Sequence, residues 1–189
     1  MSRINLIARA RARLTGLPRR WLLGASAAAC AAALVPVAAV AATASPAGAS
    51  TPACATSGLV VWLDTNGDGF AGGTGFKLHL TNESGHACSL FGFPGVSAVS
   101  LAGHQLGRAA TRDGLGPERQ VRLANNATAT ATVLIHEVGA FSTARCHPVT
   151  AAGLRVFPPG QRKAKVAPFP FRACSRSGPV YLMLGPVHK

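Results

Sequence analysis

The cysteines have the most definite chemistry in this sequence. Of five, Cys30 lies in an N-terminal apolar stretch. An even number of cysteines in an exported domain predicts two disulfide bonds, for which three connectivities are possible. A structural zinc site is disfavoured, because the spacings lack closely paired ligands. The four cysteines expected to form disulfides are Cys54, Cys88, Cys146 and Cys174.

The main cluster of positive charge is Arg162, Lys163 and Lys165, followed by Pro168-Phe169-Pro170-Phe171. A basic run beside aromatic residues can bind an anionic cell-wall polymer, a lipid headgroup or an envelope protein. The alternative is a solvated hairpin whose phenylalanines fold back into the core, and a run this short favours it. Nucleic acid is not expected as a partner, because the sequence has no recognition motif for it.

A group of oxygen-bearing residues, Asp64, Asn66 and Asp68, resembles the start of a calcium-binding loop. The twelfth position of that loop is Gly75, which cannot supply the usual bidentate carboxylate. A hairpin loop in which Gly67 and Gly69 take positive φ is therefore favoured over a calcium site.

No cofactor is expected. Gly67-x-Gly69-x-x-Gly72 matches the dinucleotide fingerprint, but the residues after it alternate with the period of a strand. Without a helix N-terminus there is no amide cluster to hold a pyrophosphate.

An enzyme would need a converging set of reactive groups, and the sequence shows no catalytic motif. The alternative to a non-catalytic module is an extracellular hydrolase whose site is assembled only in three dimensions. Its candidates are the scattered histidines His79, His86, His104, His136, His147 and His188.

The first 49 residues have the pattern of an export signal: basic residues, an apolar run and a tail of small residues. Arg19-Arg20 is typical of a twin-arginine signal. A lipidated Cys30 and an uncleaved membrane span are the alternatives. We therefore expect an export signal over residues 1–49 and a single secreted domain over residues 50–189, in the extracellular cell envelope.

The domain from residue 50 onward is basic, with 13 Lys and Arg against 6 Asp and Glu, a net charge of +7. Such a balance favours anionic partners but does not specify a fold. Short apolar or alternating runs separated by turn residues predict an all-β fold, an immunoglobulin-like sandwich of roughly seven to nine short antiparallel strands. Trp62 is expected in the core, within a buried strand Leu59–Leu63.

The stretch from Thr81 to Val96 joins two predicted strands through a turn and contains Cys88. Together with two later segments, this stretch resembles a known protein family. The motifs that carry the resemblance are Thr81-Asn82…Cys88-x-Leu90-x-Gly92-x-Pro94-Gly95-Val96, Gly103-x-x-Leu106-Gly107 and Gly153-Leu154-Arg155-Val156-x-Pro158-Pro159. The family is the actinobacterial secreted domain of unknown function 4232. The resemblance implies a small disulfide-bonded β-sandwich at the cell envelope, with no catalytic residues to carry over.

The function that we expect is a non-catalytic binding or structural module of the cell envelope. For the disulfides we expect sequence neighbours to pair, Cys54 with Cys88 and Cys146 with Cys174.

Overall fold

Strands dominate the computed structural model, which describes residues 50–112 and 114–189. The expected export signal, Arg19-Arg20 and Cys30 lie outside the described residues. The described part contains three single helical turns, Thr56–Gly58, Val138–Ala140 and Thr143–Cys146, and none of them is long and apolar enough to cross a membrane. It contains twelve strands: β1 (Leu59–Leu63), β2 (Asp68–Phe70), β3 (Gly73–Asn82), β4 (Cys88–Phe91), β5 (Gly95–Val99), β6 (Gln105–Leu106), β7 (Thr111–Arg112), β8 (Gln120–Leu123), β9 (Thr128–His136), β10 (Pro148–Phe157), β11 (Lys165–Cys174) and β12 (Leu182–Leu184).

The strands form three sheets. In the six-stranded sheet the order is β1-β3-β9-β12-β7, and β2 pairs with the start of β3 beside β1. The four-stranded sheet has the order β11-β10-β5-β6, and β4 pairs with β8 alone. Neighbouring strands are antiparallel, except that β7 and β12 are parallel. The fold is therefore mostly β, as the sequence predicts, and its sheets are open.

Alternating side chains direct one face of each long strand into the core. Along β9, Ala129, Ala131, Val133 and Ile135 are buried, whereas the residues between them are half-buried. Successive side chains of a strand point to opposite faces, which explains this pattern. Buried residues of the two larger sheets belong to one cluster, which includes Leu78, Leu80 and Val133 from one sheet and Leu154, Val156 and Ala167 from the other.

The prediction that Trp62 lies in the core is wrong. In β1 the side chains of Leu59, Val61 and Leu63 are buried, but Trp62 is 44 % exposed. Its ring stacks on His79, the residue directly opposite on β3, with centroids 3.9 Å apart. The apolar run does not form a strand buried on both faces, because only one face of this edge strand meets the core.

β11 has no counterpart among the strands predicted from the sequence. Its Pro168 and Pro170 argue against a central strand, because proline cannot donate to a hydrogen-bond ladder. β11 lies at the edge of its sheet, where proline is tolerated. Phe169 and Phe171 are half-buried and Phe169 packs on Phe76 with centroids 4.8 Å apart, so the aromatic residues fold back toward the core.

Two disulfides join the expected neighbours. Cys54 bonds to Cys88 with Cα atoms 4.8 Å apart, and Cys146 bonds to Cys174 with Cα atoms 4.6 Å apart. They close loops of 34 and 28 residues. By the chain-entropy estimate, loops of this size stabilise the fold by about 3–4 kcal/mol each.

Asn82 organises the turn after β3. Its side chain is fully buried, and its Nδ2 lies 2.8–3.2 Å from the carbonyl oxygens of His86, Leu123 and Ala124. Its Oδ1 accepts hydrogen bonds from the backbone N–H and the hydroxyl of Ser84. One amide therefore joins the turn to the end of β8, which we call the Asn82 network.

Candidate functional site

A cleft of about 730 Å³ lies beside β8. Its walls are residues 115–117 and 119 of the loop before β8, the first three residues of β8, Thr132 of β9 and the segment 186–189 that follows β12. We call this site the basic cleft. Its volume falls in the range of about 300–1,000 Å³ that is usual for small-molecule sites.

Backbone hydrogen bonds hold the segment 186–189 in place. The N–H of Val187 donates to the carbonyl O of Gly92 at 2.9 Å. His188 and Thr130 exchange two backbone hydrogen bonds, both 2.8 Å long. The loop at Leu115 lies close to Gly185, the residue just before this segment. The approach is so close that a β-carbon at Gly185 would be 3.3 Å from the Cβ of Leu115. Three separate parts of the sequence thus meet at the cleft.

Positive charge lines the rim of the basic cleft. Its cationic side chains are Arg119, Arg122 and Lys189, which are all exposed, and the exposed His188 lies beside them. Among the described residues no Asp or Glu side chain lines the cleft, and the nearby Glu118 places its carboxylate against Gly92. Cations gathered in a concave surface raise the local concentration of anions. The arrangement can bind an anionic group.

Alternation along β8 separates the rim from the floor. Gln120 and Arg122 are exposed, whereas Val121 between them is buried and pairs with Leu90 of β4. Pro186 and Val187 are buried on the facing segment. The exposed side chains of Gln120 and Arg122 therefore border a floor formed by the packed segment at Pro186 and Val187, whereas Val121 points into the core.

The predicted charge cluster is only partly assembled. Arg162 and Lys163 are exposed in the turn between β10 and β11, but Lys165 is half-buried in β11, opposite the buried Val156. Arg172, another basic residue of β11, lies seven residues beyond Lys165, which is a distance of about 23 Å at the usual rise of a strand. The guanidinium of Arg155 donates to the carbonyl O of Gly103. The basic residues of this sequence region are thus spread over the surface.

The loop considered for calcium forms a tight turn and a short strand. The Asp64 Oδ1 accepts a hydrogen bond from the backbone N–H of Asn66 at 3.0 Å, while Asp68 begins β2. Positive φ occurs at Gly72, in the turn between β2 and β3, so the prediction of positive φ at Gly67 and Gly69 is wrong. Within the described ranges no three His, Cys, Asp or Glu side chains gather as metal ligands would.

His147 and Ser175 form a serine–histidine contact, with Nδ1 and Oγ 2.9 Å apart. The same hydroxyl donates to the backbone carbonyl O of His147 at 2.9 Å. A serine hydroxyl has one hydrogen, so when that bond forms the Nδ1–H must be the donor to Oγ. The imidazole then cannot remove the hydroxyl proton as a general base, and the contact joins β11 to the turn before β10.

The imidazole of His79 is half-buried between its neighbours on β3 and β1. Burial lowers the pKa of His79 below its ordinary value, Lys77 lowers that pKa further, and Asp64 opposes both. Its Nε2 is buried and has no hydrogen-bond partner within the described residues. The neutral ring that results suits stacking on Trp62, whereas His136 contacts the Met183 sulfur and Phe70 instead.

Sequence reasoning did not identify Arg119 or Arg122, and it named His188 only among the scattered histidines considered for a hydrolase. The alternation in Gln120–Leu123 does place Gln120 and Arg122 on one face. Nothing local in the sequence, however, brings residues 186–189 next to this face. The site depends on contacts between segments more than sixty residues apart, which the local pattern does not report.

A family model described as "Domain of unknown function (DUF4232)" matches residues 54–187, and the chain belongs to this family. The matched range includes both disulfides, the Asn82 network and the basic cleft apart from His188 and Lys189. Comparisons with the curated proteins and with the solved structures gave no significant match. The family is thus known but has no established function, so the chemistry of the cleft is the basis for a functional proposal.

Proposed function

We propose that this domain is a non-catalytic binding module that takes an anionic partner in the basic cleft. The observation that carries the proposal is the grouping of Arg119, Arg122 and His188 around one concave surface. Arginine is suited to the role, because its planar guanidinium forms paired hydrogen bonds with phosphate or carboxylate oxygens.

The surroundings proposed for this function are the outer cell envelope of an actinobacterium. The export pattern over residues 1–49 and the two disulfides support a secreted protein, because disulfides persist in oxidising compartments. Two larger sheets that share one buried cluster support an immunoglobulin-like sandwich as the finer description of the fold. In that setting the anionic partner is a component of the envelope.

The expected affinity for a simple anion is modest. An exposed ion pair contributes about 0–1 kcal/mol, because water and salt screen it. Two arginines with a histidine therefore give an interaction that weakens as ionic strength rises, over a Debye length of about 8–10 Å. A polymer with many anionic groups compensates by presenting several groups to the same surface.

The test measures binding of inorganic polyphosphate to the purified domain by calorimetry, at low and at high salt. The double variant Arg119→Gln/Arg122→Gln is expected to bind about three- to tenfold more weakly than the original domain. The matched control is Arg162→Gln/Lys163→Gln, which removes two exposed charges from the β10–β11 turn. It is expected to change the affinity by less than about twofold.

A loss confined to the control variant would assign polyphosphate binding to the β10–β11 turn and contradict the proposal. Equal losses in both variants would show a response to net charge alone, and that result would also contradict a defined site.

A further inference from the structure

The floor of the basic cleft is apolar, although its rim is charged. Pro186 and Val187 form a floor that is closed to solvent, and Leu115, on one side of the cleft, is its large exposed apolar side chain. Leu115 is 48 % exposed and lies against the backbone at Gly185. An apolar side chain at the mouth of a basic cleft gains stability from any ligand that covers it.

Another exposed apolar side chain lies on the neighbouring strand. Phe91 of β4 pairs directly with Gln120 of β8, so the two side chains share one face of the small sheet. Phe91 is 60 % exposed, and Gln120 lines the cleft. Apolar surface and positive charge therefore occur side by side around β8.

We infer that the basic cleft binds an amphipathic anion, a phosphate monoester that carries a hydrocarbon group. The phosphate lies at the rim beside Arg119 and Arg122, and the hydrocarbon covers the exposed side chain of Leu115. This inference rests on the proposed function, because it names the ligand class for the same site.

Magnitudes decide which part of such a ligand matters more. The rim cations are exposed, so screening limits what a phosphate alone can gain. Burial of as few as two methylene groups is enough to raise an affinity by about tenfold. The hydrocarbon is therefore the larger determinant of affinity, and the phosphate sets orientation and selectivity.

The experiment compares three soluble probes by calorimetry, each below its micelle concentration. Octyl phosphate carries both features, methyl phosphate keeps the headgroup, and octyl glucoside keeps the hydrocarbon without the charge. Octyl phosphate is expected to bind at least about tenfold more tightly than methyl phosphate, because methylene groups leave water. Octyl glucoside is expected to bind more weakly than octyl phosphate, because it has no anion for the rim.

Variants assign the two features to residues. Leu115→Asn is expected to weaken octyl phosphate by about three- to tenfold and to leave methyl phosphate unchanged. Its matched control is Leu101→Asn, because Leu101 is 97 % exposed in a turn between β5 and β6. Arg119→Gln/Arg122→Gln is expected to weaken both phosphates, whereas Arg162→Gln/Lys163→Gln should affect neither.

Equal affinities for octyl and methyl phosphate, both lost in the Arg119/Arg122 variant, would overturn the amphipathic ligand and leave the proposed anion site intact. Failure of every anion, including polyphosphate, would remove both proposals. Vesicles that contain phosphatidic acid separate a membrane headgroup from a free amphiphile. Binding to these vesicles without binding to monomeric octyl phosphate would also overturn the inference.

Discussion

The Asn82 network lies at the end of β8 and the basic cleft lies along its first three residues, and the two regions differ in chemistry. In the network a buried amide contacts five backbone or side-chain groups. At the cleft, Arg119 and Arg122 are exposed around a concave surface. Buried polar groups require partners within the fold, whereas exposed charges remain available to a ligand. The difference separates residues that specify the structure from residues that can serve binding.

The substitution with the largest expected effect is Asn82→Ala. It leaves several carbonyl oxygens without their donor, so we expect the free energy of unfolding to fall by about 2–4 kcal/mol. Urea denaturation followed by circular dichroism measures the loss. The control is Asn125→Ala, because the exposed Asn125 accepts one hydrogen bond, from the N–H of Gly85. A loss no larger than that of the control would show that the network does not stabilise the turn.

The same measurement on Arg119→Gln/Arg122→Gln is expected to give a change within about 0.5 kcal/mol, as is usual for exposed side chains. A stability loss of more than about 1 kcal/mol would mean that the arginines support the fold. In that case the contrast between the two regions would not hold, and a loss of ligand binding could not be assigned to the cleft.

The smallest expected effect is a pH dependence at His79. Because the folded pKa of His79 is lowered, the unfolded chain takes up the proton first as pH falls. The contribution of His79 to stability is thus present above its unfolded pKa of about 6.5 and declines as pH falls from there toward the folded value.

His79→Gln is expected to flatten the dependence of unfolding free energy on pH between about pH 7 and pH 5. The exposed His104 offers the matched substitution, His104→Gln, which measures the effect of losing a histidine elsewhere. If the two variants have the same slope, the titration of His79 is not linked to folding.

Local patterns explain why parts of the fold could be predicted. The β-branched alternation of Thr128–His136 needs no distant information, and neither does the turn chemistry around Gly85. The exposure of Trp62 and the existence of β11 could not be predicted in this way, because burial on one or both faces depends on where a strand lies in its sheet. The edge positions of β1 and β11 exposed Trp62 and allowed Pro168 and Pro170, and no local pattern reports an edge position.

The sequence by itself determined the cysteines available for disulfides, the alternating faces of the long strands and the family motifs. Those features depend on residue type and short spacing. Only the tertiary structure decided that the loop at Leu115, β8 and the segment 186–189 meet in one cleft. It also decided that Arg119 and Arg122 line this cleft, whereas Arg162 and Lys163 are exposed in the turn between β10 and β11. The physical reason is that a binding surface is made by long-range packing, which residue spacing does not encode.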